Sequence, residues 1–280
     1  MSVQRLLRMT ACVLVGCGVP LFIPFAVRGA DDAVIAAVAS RASSDYVRMR
    51  LADGAFHPET YVFGRGGFWS GALRDESIDD MSFMDVARII AGPLSHKNYL
   101  PAKDPKTTKL LIMAYWGSTT RSEFFGMRSW GGSVRGAAMV QMLNRLRSRA
   151  DFQTANLLGY NSWWEETCVD PVVGAPINPI RDHRNQDMVD EVEDPRYFVV
   201  LMAYDFPLLW QQKKHKLLWE TRFSIRQRHN DFDKQLAAMA QDASRYFGQD
   251  SHGLIHERLP TPRITLGEPK VLDYEPETKK

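Results

Sequence analysis

Cysteine is scarce in this chain: three residues in 280, two of which, Cys12 and Cys17, lie near the N-terminus. Cys168 then stands alone in the rest, so no internal disulfide can brace the fold and a hydrophobic core must hold it. Motifs that mark common chemistries are also missing. There is no His-Glu-x-x-His or paired-cysteine metal signature, no Gly-x-Ser-x-Gly elbow and no Gly-Lys-Ser/Thr after a glycine cluster. An excess of one charge is absent too. A net charge of +2 argues against nucleic acid as the main partner, which requires a concentrated basic face. After the first 27 residues no apolar stretch is long enough to span a membrane.

What is present begins with a leader. Arg5 and Arg8 precede an apolar stretch from Ala11 to Val27, broken by Gly16, Gly18, Pro20 and Pro24. A positive start followed by a short interrupted apolar run reads as a secretory signal peptide over 1–29. Two processing readings compete. Val27-Arg28-Gly29 offers small residues for cleavage before Ala30, whereas Leu14-Val15-Gly16-Cys17 has the pattern of a lipobox with Cys17 acylated. Residues 30–259 then form a single domain, with 260–280 as a tail rich in Pro, Glu and Lys.

The domain centres on Tyr197 to Arg228. Phe198 to Tyr204 is continuously apolar and reads as a strand covered on both faces, ended by Pro207. Gln211 to Lys214 forms a polar hairpin tip, and Lys213, Lys214 and Lys216 read as charges that keep it soluble. In the return strand Trp219, Thr221, Phe223 and Ile225 face the core, and Glu220, Arg222, Ser224 and Arg226 face water. Asp231 to Phe247 is an amphipathic helix capped by Asn230, with Gly248 at a left-handed terminus.

Upstream, Asp31 to Ala42 reads as a short helix or an unstructured lead-in, Tyr46 to Leu51 as a strand, and Gly64 to Gly67 as a loop closing the strand from Thr60. Ser82 and Asp85 make a capping box for a helix with Phe83, Ala87, Ile90 and Leu94 on one face, broken or kinked by Gly92-Pro93 before its last turn. Leu110 to Trp116 is a second strand covered on both faces. The expected fold is α+β: a two-layer mixed sheet, two amphipathic helices on one face, and a helical insertion over 121–195 between core strands.

Chemistry is thinly signalled. His183 with Asp187, and His252 with His256, have helical spacing but no further ligands, so no metal and no cofactor is expected. A catalytic reading would need His57, His96, His183, Asp182 or Cys168 to converge in one pocket. Aromatics crowd the middle of the chain, and Trp130, Trp163 and Trp164 are the candidate residues for a ligand groove.

The stretch from Phe83 to Trp116, with Tyr99-Leu100-Pro101-Ala102 leading to Lys109 through Ile112 and Tyr115-Trp116-Gly117, resembles uncharacterised secreted proteins of Gram-negative bacteria. So does Tyr197 to Phe247. That resemblance, to small periplasmic or lipoprotein α/β domains, implies an exported envelope protein that binds another protein or a cell-wall component rather than an enzyme. The alternative is a periplasmic hydrolase of unrecognised type.

Overall fold

The computed structural model describes residues 33–120, 151–160 and 183–260. The leader, the tail beyond Pro260 and most of the insertion lie outside them, and with them Cys17, Trp130, Trp163, Trp164, Cys168 and Asp182.

The strands are β1 (Ile35–Ala42), β2 (Glu59–Trp69), β3 (Tyr99–Pro101), β4 (Leu110–Ser118), β5 (Arg196–Asp205), β6 (Leu217–Arg226) and β7 (Leu254–Arg258). They form one mixed seven-stranded sheet in the order β3-β2-β4-β5-β6-β1-β7. The helices are α1 (Glu76–Asp79), α2 (Phe83–Ser95), α3 (His183–Glu193), α4 (Phe206–Gln212) and α5 (Phe232–Ala243). The expected α+β architecture is present.

At the sheet centre β4 and β5 are antiparallel, with Leu111 opposite Tyr204 and Trp116 opposite Val199. The two greasy segments, far apart in sequence, are therefore neighbours. Their period of two divides β5 between two cores. Tyr197, Val199, Leu201 and Ala203 join Ile112, Ala114 and Trp116 under α2 and α5. Phe198 and Val200 face the other way, against Ala155 and Leu158 of a helical segment over 151–158 and Val192 of α3. The insertion thus covers part of the second face, and continuous apolar character in β5 is the consequence of two covers.

Helix α2 starts as its sequence dictates: Ser82 Oγ accepts from Asp85 N–H and Asp85 Oδ2 from Ser82 N–H, each at 3.3 Å. Of the break or kink expected at Gly92-Pro93, the break does not occur, and the helix runs on to Ser95. Pro93 sits inside the helix, buried, within the final turn, where only one internal donor is forfeited. Helix α5 is capped differently from expectation. Asn230 turns back to donate to the Arg226 and Arg228 carbonyls, and the Phe232 N–H is taken by Ser77 Oγ of α1 at 3.0 Å.

Four other expectations are corrected. Residues 31–42 contribute β1, not a helix or lead-in: Ala36, Ala37 and Val38 are fully buried between β6 and β7, and long-range pairing outweighs the helical preference of alanine. Tyr46 to Leu51 makes only an isolated bridge, Arg50 with Phe56. In β6, Ser224 is buried beneath Arg196 and only Arg226 of the presumed wet face is exposed. The glycines 64–67 are no loop but the middle of β2, with a bulge between Arg65 and Gly67. Side chains of β4 explain them: a Cβ on Gly66 would stand 2.5 Å from the Tyr115 ring and one on Gly64 2.3 Å from Met113 Sδ.

Gly117 of β4 is less forgiving than Gly64, since its Cβ would meet the Trp69 carbonyl oxygen at 2.4 Å, and backbone cannot swing aside as a methionine can. Gly117→Ala should lower stability by about 1–3 kcal/mol, and Gly64→Ala, against a flexible methionine, by clearly less. Thermal unfolding of both variants checks the order; equal losses would contradict this packing.

Candidate functional site

Register brings several loops to one end of the sheet. Tyr61 pairs with both Pro101 and Leu110, Leu110 with Asp205, and Tyr204 with Leu217, so residues 102–109, α4 and 213–216 emerge together. The hairpin tip is not the simple polar turn expected. Pro207 cannot extend the ladder but suits the first turn of a helix, and Asp205 Oδ1 accepts from Leu208 N–H at 2.9 Å, which starts α4 there. Lys213 ends it in the left-handed region, at φ 57°, its N–H reaching the Leu209 carbonyl at 3.0 Å.

Helix α4 reads Phe-Pro-Leu-Leu-Trp-Gln-Gln, yet none of its residues is buried. Trp210 is 59% exposed and stacks on Phe206 with ring centres 5.7 Å apart. Lys213 Nζ lies 5.4 Å from the Trp210 ring centre and donates to the Trp210 carbonyl. The neighbouring loop is joined directly, because Phe206 N–H donates to the Lys109 carbonyl at 3.0 Å. Six of the eight lysines among the described residues gather here: Lys103, Lys106, Lys109, Lys213, Lys214 and Lys216.

The carboxylates at this end are largely engaged in building it. Asp205 starts α4, Asp104 accepts from Lys106 N–H at 2.9 Å, and Asp45 pairs with Lys216. That pair holds the Asp45 carboxyl down at about 2. The crossing segment from Ser43 to Pro58 adds exposed Val47 and Met49 at the same end. It is pinned by Arg48, whose guanidinium lies 4.3 Å from the Phe56 ring centre and 4.0 Å from that of Tyr99, and donates to the Lys97 carbonyl. An apolar helix only half-buried, with Trp210 exposed inside a cluster of lysines, is the outline of a binding surface.

Two polar networks elsewhere are fasteners. Asp75 accepts from Tyr197 Oη, from Ser77 and from Gln227, tying α1 to the ends of β5 and β6. Burial and that carboxylate together push the Tyr197 phenol up to about 12. On the second face Glu191 Oε2 accepts from Tyr160 Oη and lies 2.8 Å from His256 Nε2 and 3.9 Å from the Arg196 guanidinium. Burial alone would raise the Glu191 carboxyl, but the bonds from His256 and Tyr160 and the charge of Arg196 outweigh it and hold it at about 2. Burial pushes the Tyr160 phenol up. With its carboxylate engaged by three donors, Glu191 is spent on joining α3 to β5 and β7.

Of the residues a catalytic reading would gather, His57 and His96 are exposed and take separate partners, the Pro58 carbonyl and Gln241. The remaining members, Cys168 and Asp182, lie outside the described residues, as does the His183 side chain. His256 meets Glu191, not His252, whose side chain is 90% exposed. No group of three His, Cys, Asp or Glu side chains suited to a metal occurs among the described residues. A shallow cleft of about 360 Å³ lies beside Arg41, Arg222, Asp250 and His252. At its floor the Ser251 hydroxyl is already taken up by the Ser40 backbone, accepting from the Ser40 N–H at 2.8 Å and lying 3.1 Å from the Ser40 carbonyl oxygen. The aromatic groove expected around Trp130, Trp163 and Trp164 falls on residues that are not described. The sequence signal for α4 is Pro207 itself, which suits the first turn of a helix as well as ending a strand.

No protein family and no curated protein matches the sequence. Among solved structures, the chain is similar to a PDZ domain protein from Parabacteroides distasonis ATCC 8503, over 80% of this chain, at 11% identity and a TM-score of 0.40. The match spans 39% of that protein's length. It is also similar to a DUF4136 family protein from Bacteroides thetaiotaomicron VPI-5482, over 77% of this chain and 94% of that one, at 11% identity and a TM-score of 0.31. Both are bacterial proteins, and at these values neither assigns a family.

Proposed function

We propose that the protein is exported and acts without catalysis, as an envelope protein that binds another protein or a cell-envelope component through the lysine-bearing end of its sheet. The observation that carries this reading is α4, an apolar helix with no residue fully buried, its Phe206, Leu208 and Leu209 half-buried and its Trp210 59% exposed. Burying one large apolar side chain is worth roughly 1.5–3 kcal/mol, so Trp210 left exposed at the end of this helix is a surface awaiting a cover. The positive, then apolar, leader supports export.

The test has two arms. A C-terminally tagged chain expressed in a Gram-negative host should be processed and appear in the periplasmic or outer-membrane fraction; a cytosolic, unprocessed chain would overturn export. Immobilised protein should retain an envelope component from solubilised membranes, and Trp210→Ala with Lys213→Gln and Lys214→Gln should release it. Retention indifferent to those changes would remove this surface from the account.

A further inference from the structure

We infer that the lysine-bearing end of the sheet docks on an anionic membrane surface, with Trp210 and Phe206 entering the headgroup region. This rests on the envelope reading above and names the ligand class: the anionic headgroups of a lipid bilayer.

Three observations carry it. The first is composition: aromatic rings and leucines on one short helix, with lysines at its end and beside it, is the pattern of segments that lie in the membrane interface. Trp210 is 59% exposed, and its stacking on Phe206 joins the two rings into one apolar surface. The second is the state of the charges. Lys103, Lys106, Lys109 and Lys214 carry no ion pair among the described residues, while Asp45, Asp104 and Asp205 are occupied with Lys216, the 104–107 turn and the start of α4. These carboxylates keep their charge, but the six lysines here outnumber them, so net positive charge remains at this end even though the whole chain carries only +2.

The third is the kind of cation. A lysine is a point charge on a flexible stem that follows a diffuse, fluid layer of phosphates, whereas arginine's planar fork suits a fixed bidentate partner. Of the arginines in the segments at this end, Arg48 is buried between Phe56 and Tyr99 and Arg50 donates to the Gly54 carbonyl. An acidic protein groove would be served by either cation; an anionic bilayer is the better match for lysines around an exposed Trp210 stacked on a half-buried Phe206. Attachment would be peripheral, since no helix among the described residues is long and apolar enough to cross a membrane.

Flotation of the full chain, as processed by the expressing cell, with vesicles of phosphatidylcholine or of phosphatidylcholine and phosphatidylglycerol tests this. Binding should require phosphatidylglycerol and weaken with salt. Lys213→Gln with Lys214→Gln should weaken it about thirtyfold, from the contribution of each lysine near an anionic surface. Trp210→Ala should weaken it about tenfold through lost apolar contact. Equal binding to both vesicle types, or binding unchanged in these exposed-residue variants, overturns the inference. Absence of vesicle binding alongside retention of an envelope protein sensitive to the same substitutions would overturn the membrane inference and leave the proposed function standing. Failure of both would remove both.

Discussion

Trp219→Ala is expected to lower folding stability by about 3–5 kcal/mol, the largest single loss foreseen for this protein. Trp219 is 1% exposed on β6 and touches parts of the chain distant in sequence: its ring centre is 5.7 Å from that of Tyr99 in β3 and 5.9 Å from that of Phe247, with Phe247 stacked at 17°. Truncation leaves a cavity walled by rigid rings, which cannot collapse into it. Trp219→Phe should cost much less, about 1–2 kcal/mol. It keeps an aromatic plane and deletes the Nε1–H, a buried donor with no partner among the described residues. Urea unfolding, with an unchanged slope and a shifted midpoint, measures both. Equal losses would mean that Trp219 is not held between two rings.

The second large effect is expected at Glu191. Arg196 is almost wholly buried, and besides its bonds to Ser224 the nearby Glu191 carboxylate is the counter-charge the structure offers it. Glu191→Ala should cost about 3 kcal/mol, most of it from leaving a guanidinium buried without its acid. The same contact sets an acid limit. Its carboxyl is held at about 2, below the ordinary 4.5, so the folded state binds fewer protons than the unfolded one in between. The contribution is complete above pH 4.5 and is lost as pH falls towards 2, roughly 2–3 kcal/mol over that window. Glu191→Gln should abolish this acid-dependent phase while leaving an acceptor for Tyr160. Persistence of the phase in that variant would assign it to other carboxylates.

Much of the fold was legible because its signals are local or strongly periodic. The capping box at Ser82 and Asp85 and the uninterrupted apolar runs of β4 and β5 each state their structure in a few residues, and the alternation of β6 marks the strand and its core face, though not the burial of Ser224. What escaped reading depends on partners distant in the chain. Nothing in Ile35–Ala42 announces a strand, because its strand character comes from β6 and β7, and β7 itself is too short and polar to stand out. The glycines of β2 look like a loop until Met113 and Tyr115 of the neighbouring strand are placed over them.

The surface was half legible for a similar reason. Lys213, Lys214 and Lys216 stand out in the sequence, but Lys103, Lys106 and Lys109 join them only through the pairing of Leu110 with Asp205. Exposure of Trp210 could not be read at all, since periodicity in a seven-residue helix does not distinguish a packed face from a free one.

Site-specific photocrosslinking in cells tests the central claim most directly. A photoreactive phenylalanine analogue at position 210, irradiated in living cells expressing the full chain, should give an adduct that fractionates with the envelope. The same analogue in place of Lys234, exposed on α5 and away from α4, should give none. Equal adducts from both positions, or none from 210 in a folded and exported chain, would contradict the account.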